Sequence, residues 1–193
     1  MAIRIALWAS GSGSNAENIV RFFRNDSRFE FPVIISNKST ALVHERALKL
    51  GIPSVTFTRD DFADGQKVLD FHREYGIDCI VLAGFLLKVP DEVTKSFPDR
   101  IINIHPSLLP KYGGRGMYGQ HVHEAVAAAG ESESGITIHY INEHYDEGNV
   151  IFQTTCSLLP ADTPEMIAEK VHALEYEFYP KIIEQLWGNH SGN

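Results

Sequence analysis

The sequence predicts an α/β fold: an open, mostly parallel sheet with helices on both faces and an antiparallel or mixed edge towards the C-terminus. Three observations predict it. First, "IRIALWA" (3–9) and "DCIVLAGF" (78–85) are apolar without alternation, as strands buried on both faces are. Second, strand-like and helix-like stretches alternate through residues 1–105, which implies right-handed βαβ crossovers. Third, the alternation stops after Tyr112, and two strand-like runs then follow one another with only a loop between them.

Each element has its own signal. Ile3–Ala9 is a β-rich run broken by "SGSGS", and Asn15 opens a helical pattern reaching about Arg24. "FPVIIS" (31–36) is the next strand, and "ALVHERALKLG" (41–51) has helical spacing with a glycine stop. "SVTFT" (54–58) is a short strand, followed by a helix over about Asp61–Tyr75. After the strand at 78–85, Pro90–Phe97 fits a short helix with proline in its first turn. "RIINIH" (100–105) is the next strand, and Tyr118–Ala129 is helical. "GITIHYI" (135–141) and "NVIFQTTC" (149–156) are strands joined by a loop that turns back. Residues 163–187 form a long closing helix with a threonine cap, proline at its start and a possible kink at Pro180. "GNHSGN" (188–193) is a loose tail after a single domain over 1–187.

Composition narrows the function. The 193 residues are 44% hydrophobic, enough for one sizeable core. A formal net charge of −8 argues against broad nucleic-acid binding, which needs a basic face, but allows a local anion pocket. The apolar N-terminal run is too short to span a membrane and has no secretory cleavage pattern. Cys79 reads as a small core residue, and nothing requires its pairing with Cys156. The expectation is a cytoplasmic protein without nucleic-acid or membrane partners.

Four stretches carry chemistry. "ASGSGSN" (9–15) joins the first strand to the first helix, where glycines and free helix N–H groups can cradle a phosphate. It lacks the Gly-Lys-Ser/Thr of a P-loop, and Ala16 stands where a dinucleotide fingerprint has its third glycine; a plain serine-capped turn is the alternative. In "NIHPSLLP" (103–110), Asn103 and His105 are two apart on a strand and face one way, beyond the carboxyl ends of the strands where open sheets bind ligands. Two donors aimed at one oxygen stabilise a developing oxyanion; the alternative is a polar strand end satisfying local backbone. Asp146 in "EHYDEGNVI" (143–151) is placed to orient His105, raise its pKa or relay a proton, unless it is a solvated turn residue. Glu175 and Glu177 lie in "HALEYEFYP", where one near a pocket would hold an ammonium.

Other chemistries are disfavoured. "HVH" (121–123) puts two imidazoles on different helix faces, and His139 and His144 match no zinc pattern, so no metal is expected. There is no Gly-x-Ser-x-Gly elbow.

Together, "GSGSN", "ISNK", "VLAGF", "NIHPSLLPKY" and "YDEGNVI" resemble the phosphoribosylglycinamide formyltransferase family, over about residues 3–187. The resemblance implies a Rossmann-like formyltransferase fold. It implies formyl transfer from 10-formyltetrahydrofolate, as co-substrate, to the amine of glycinamide ribonucleotide in de novo purine (IMP) biosynthesis. Gly13, Ser14 and Asn15 would bind the ribonucleotide phosphate and Glu175 the amine. Asn103, His105 and Asp146 would form the catalytic trio. Leu86, Leu87, Lys88, Val89 and Asn142, with Asn103 and Asp146, would hold the folate, under a closing loop over 141–146. A monomer or weak homodimer is expected. Gly65 stands where many members carry an anion-binding arginine, leaving Lys67 or Arg115 of the glycine-rich "GGRGMYG" to replace it. A 10-formyltetrahydrofolate hydrolase, an amino-sugar formyltransferase and a non-catalytic nucleotide-binding module are the rival readings.

Overall fold

The computed structural model describes residues 1–143 and 146–190. The strands are β1 (Ile3–Trp8), β2 (Phe29–Ser36), β3 (Ser54–Thr56), β4 (Cys79–Leu82), β5 (Ile101–His105), β6 (Glu133–Tyr140) and β7 (Val150–Ser157). The helices are α1 (Ser14–Phe22), α2 (Val43–Leu50), α3 (Arg59–Ala63), α4 (Gly65–Glu74), α5 (Asp91–Ser96), α6 (Gln120–Ala128) and α7 (Pro164–Trp187).

The seven strands form one sheet in the order β3-β2-β1-β4-β5-β6-β7. β3 through β5 are mutually parallel, whereas β5–β6 and β6–β7 are antiparallel. This is the mixed C-terminal edge expected from the sequence. The strand order reverses between β1 and β4, which is where open α/β sheets place their ligand crevice.

Alternate residues of one strand feed opposite cores. Ile5, Leu7 and Ala9 pack under α1, α2, α6 and α7, whereas Ala6 and Trp8 pack with Phe62, Val68 and Val93 under α3, α4 and α5. α2 ends on Gly51, which adopts the left-handed φ of 71° that the glycine stop requires. Thr163 accepts from Met166 N at 3.3 Å to cap α7, with Pro164 in the first turn.

Three elements depart from expectation or add to it. The helix expected over Asp61–Tyr75 is two helices, broken at Asp64. Thr58 and Asp61 form a capping box that starts the first, and the Asp64 side chain caps the second at Lys67 N. Second, α7 continues across Pro180. Proline has no N–H for the Tyr176 carbonyl, and Asn18 Nδ2 on α1 donates to that oxygen at 2.9 Å. Third, the tail begins with a 3-10 turn, Gly188–His190, held by Arg28, which donates to Gly188 O at 3.4 Å. Residues 191–193 lie outside the described residues.

A buried imidazole supports the second core. The Trp8 indole N–H donates to His72 Nε2 at 3.3 Å, and His72 Nδ1 donates to Val68 O at 2.7 Å. Both nitrogens are satisfied only in the neutral ring, and burial pushes its pKa down to about 4. The neutral form is therefore stabilised by folding. That stability is present above the unfolded pKa of roughly 6.5 and is lost as pH falls towards 4. Urea midpoints between pH 7 and 4 should fall by an amount equivalent to roughly 3 kcal/mol. His72→Gln should flatten that slope; an unchanged slope would show that His72 does not supply it.

Candidate functional site

The first βα junction leaves backbone N–H groups at the start of a helix, where the sequence reading put the phosphate. Gly13 sits at φ 71° as the N-cap of α1, and no side chain caps the helix. The N-cap is therefore not a serine, although Ser12 Oγ accepts from Ser14 N at 3.4 Å. The first-turn N–H groups lack helical acceptors and carry the positive end of the helix dipole. A Cβ on Gly13 would stand 2.3 Å from Val43 Cγ2, so glycine is required by both conformation and contact. Behind the loop, Arg46 Nε donates to Ser12 O at 2.7 Å, while its guanidinium also pairs with Glu17.

One cavity of about 800 Å³ opens at the carboxyl ends of β1, β4 and β5. That lies at the upper end of the usual range for ligand pockets, about 300–1,000 Å³. Gly13, Ser14, Asn15, Asn103, His105, Asn142, Asp146 and Glu175 all line it. So does the segment Leu86–Val89, in which the Leu86 N–H is fixed to Ser10 Oγ at 2.8 Å and Lys88 pairs with Asp91 at 2.7 Å. Phe62 and Ile141 add apolar wall. Of the expected closing loop, His144 and Tyr145 lie outside the described residues.

Asn103 and His105 share a face of β5, as the two-residue spacing requires, and both reach the cavity. His105 Nε2 donates to Tyr112 O at 2.7 Å, which turns Nδ1 towards Asp146 Oδ2, 3.8 Å away. Asp146 Oδ2 also accepts the Gly114 N–H at 2.8 Å, tying the aspartate to the glycine-rich segment after Tyr112. The loop after His105 is pinned from β6 and β7. Thr137 Oγ1 donates to Ser107 O at 2.7 Å and accepts from Leu109 N at 3.0 Å, while Gln153 Nε2 donates to Leu109 O at 2.9 Å.

His139 belongs to this cluster and was missed as a site residue. It is 0% exposed and paired with Asn103 in the β5–β6 register. Its Nδ1–H donates to Tyr140 O at 3.0 Å, so Nε2 accepts from Asn103 Nδ2 at 3.2 Å. Burial, above all, pushes its pKa down and keeps the ring a neutral acceptor. It therefore aims the Asn103 amide.

At the other end of the cavity, Glu175 is only 4% exposed. It accepts from Asn15 Nδ2 at 2.9 Å and lies 2.7 Å from His172 Nδ1. The hydrogen bond with Glu175 raises the His172 pKa against the opposing pull of burial. Glu177 is exposed and pairs with Lys181 at 2.9 Å, so only the first of the two candidate glutamates reaches the cavity.

Of the two cations the sequence offered, Lys67 and Arg115, only the second lines the cavity. Lys67 is engaged by Asp61 and does not line the cavity, and Glu92 packs against Gly65. Arg115 does line it, as does Arg59 at the start of α3, which sequence reasoning missed. Its signal was the capping-box spacing of Thr58 and Asp61, which starts α3 at Arg59. No group of metal-ligating side chains occurs among the described residues.

An open α/β sheet with its polar cluster at the reversal of strand order defines a small-molecule-binding protein of the doubly wound class. Within that class the chain belongs to the formyl transferase family, whose model, Formyl transferase, matches residues 3–183. It is 37% identical over 186 residues to the chloroplastic phosphoribosylglycinamide formyltransferase of Arabidopsis thaliana, covering 93% of this chain and 64% of that protein. The chain thus spans just under two thirds of that plant relative. It is 33% identical to the phosphoribosylglycinamide formyltransferase of Haemophilus influenzae, covering 94% of this chain and 85% of that one. The crystal structure of phosphoribosylglycinamide formyltransferase from Anaplasma phagocytophilum superposes with a TM-score of 0.88 at 31% identity, covering 98% of this chain and 89% of that one.

Two glycines in the cradle make a matched test. Gly13→Ala should cost about 2 kcal/mol or more, because a left-handed residue with a Cβ costs roughly 1–2 kcal/mol before any clash. Gly11→Ala, with nothing within 4 Å of its Cβ, should stay near wild type in urea denaturation. Equal losses would contradict this account.

Proposed function

We propose that this chain transfers the formyl group of 10-formyltetrahydrofolate to the amine of glycinamide ribonucleotide, giving formylglycinamide ribonucleotide and tetrahydrofolate in de novo purine biosynthesis. One observation carries the reading. The bond from Asn15 Nδ2 to Glu175 Oε2, 2.9 Å, sets a buried carboxylate beside the anion cradle. The same cavity holds Asn103, His105 and Asp146. A phosphorylated amine and an acyl-transfer cluster are what such an arrangement serves.

In this reading the N–H groups around Gly13, Ser14 and Asn15 bind the phosphate, and Glu175 accepts from the amine. The apolar wall of Leu86, Leu87, Val89 and Ile141 suits a flat pterin ring, with Lys88 and Asn142 at its polar edge. Asn103 and His105 Nδ1 donate to the formyl oxygen as the amine nitrogen attacks the formyl carbon and the carbonyl pair moves onto oxygen. Asp146 holds the His105 imidazolium and relays the proton lost by the amine, through water, to the departing folate nitrogen as its bond to carbon breaks. Arg59 and Arg115 supply positive charge for an anionic ligand group in place of the arginine absent at Gly65. No metal is required.

The reading takes residues 1–187 as one catalytic domain, active as a monomer or weak homodimer in the cytoplasm, without nucleic-acid or membrane partners. Free Cys79 and Cys156 accord with a reducing compartment, and no helix among the described residues is long and apolar enough to cross a membrane.

Deformylation of 10-formyltetrahydrofolate should proceed rapidly only when glycinamide ribonucleotide is present. Turnover without it would instead establish a hydrolase. His105→Ala should lower kcat by about 100-fold or more while leaving ribonucleotide binding by calorimetry intact. Full activity in that variant would remove His105 from the mechanism.

A further inference from the structure

Asp146 sits in the loop between β6 and β7 at φ 54°, a left-handed conformation that a residue with a Cβ holds only when its surroundings fix it. Its side chain is 14% exposed. Its two imidazole neighbours, His105 and His139, stand 3.8 and 3.7 Å away, beyond hydrogen-bonding distance. Among the described residues, the one hydrogen bond to its carboxylate comes from the Gly114 N–H, at 2.8 Å. The oxygen that accepts it, Oδ2, is also the one that faces His105 Nδ1.

The glycine pair at this point is needed for two separate reasons. A Cβ on Gly113 would stand 2.5 Å from Leu109 Cδ2 and 3.6 Å from Asp146 Cβ, so contact demands glycine there. Gly114 would meet nothing within 4 Å, but its φ is 91°, so conformation demands glycine. Leu109 is held from the sheet. Its N–H donates to Thr137 Oγ1 on β6, and its carbonyl accepts from Gln153 Nε2 on β7. Contacts therefore run without a break from the two C-terminal strands, through Leu109 and Gly113, to the Gly114 N–H and the carboxylate. By this route the rigidity of the sheet reaches a side chain that stands in a loop.

We propose that Gly114 is a positioning residue for formyl transfer, its backbone N–H fixing Asp146 Oδ2 opposite His105. This rests on the reading of Asp146 as the group that holds the His105 imidazolium and relays the proton. A hydrogen bond to an ionised carboxylate is short and directional, and it fixes which way the oxygen points. A charge already aimed at the place where an opposite charge develops stabilises it with no reorganisation during the reaction.

The test removes the N–H and compares the result with equal strain placed beside it. Gly114→Ala should lower kcat by about tenfold or more, the scale of one hydrogen bond to a charged group, with KM for glycinamide ribonucleotide little changed. Gly116 is the matched control, because its φ is 90° and its Cβ would likewise meet nothing within 4 Å, yet its N–H makes no bond to Asp146. Gly116→Ala should keep most of kcat. Replacing Gly114 by glycolic acid turns the N–H into an ester oxygen and retains the freedom of glycine. It should match Gly114→Ala, and it serves if the alanine variant does not fold. In an Asp146→Ala background, neither change at Gly114 should cost anything further. In proton–nitrogen correlation spectra, the Gly114 amide proton should move upfield when Asp146 becomes alanine. Equal losses in the Gly114 and Gly116 variants, or losses that add to that of Asp146→Ala, overturn the proposal. A wild type that transfers no formyl group sinks the reading of the site instead, and the amide shift then decides by itself whether Gly114 holds the carboxylate.

Discussion

The Tyr179 hydroxyl is the contact on which the cavity depends. It donates to the carbonyls of Leu82 and Ile102, at 2.9 and 3.3 Å. Leu82 closes β4, which leads into the apolar wall, and Ile102 precedes Asn103 in β5, the strand that carries the Asn–His pair. The phenol is completely buried, and desolvation raises its pKa well above the ordinary tyrosine range, so it remains a donor. One helical turn earlier on the same face stands Glu175. Docking α7 on the sheet therefore places the carboxylate relative to the strand ends in one operation.

Histidines in and around this cavity differ because their nitrogens meet different partners. His105 spends Nε2 on a backbone carbonyl and turns the other nitrogen to Asp146. His139 spends both nitrogens and becomes a fixed acceptor for the Asn103 amide. His172 has a carboxylate at 2.7 Å and is drawn towards the cation. One residue type thus provides a ring fixed to backbone through one nitrogen, a neutral acceptor and a ring drawn towards the charged form in and around a single pocket, and the environment assigns each part. Asp146 touches this system twice, 3.8 Å from His105 and 3.7 Å from His139. Both separations exceed a hydrogen bond.

Much of this was legible because local periodicity carries it. Asn103 and His105 had to share a face once their stretch was read as a strand, and the glycine loop had to open a helix once Ile3–Trp8 was read as the first strand. His139 was not legible in the same way. Its role follows from pairing opposite Asn103, and cross-strand register is set by the whole β5–β6 ladder, not by any local pattern. Arg59 was hidden behind a misplaced helix start, although Thr58 and Asp61 carry the spacing of a capping box and Asp64 precedes a glycine. The continuity of α7 across Pro180 was legible, but what compensates the missing N–H was not. The compensating donor, Asn18, comes from the opposite end of the chain.

The contact between Asn15 and Glu175 spans 160 positions of the chain. During synthesis the anion cradle emerges early, and the sheet can assemble behind it as β4 and β5 follow. The carboxylate arrives only with α7, after every strand. A nascent or prematurely truncated chain would therefore lack both the Tyr179 hydrogen bonds on which the cavity depends and the carboxylate assigned above to the amine. On the proposed reading, selectivity for an amine is the last property this fold acquires on the ribosome, and proteolysis within α7 would remove it while leaving every strand of the sheet uncut.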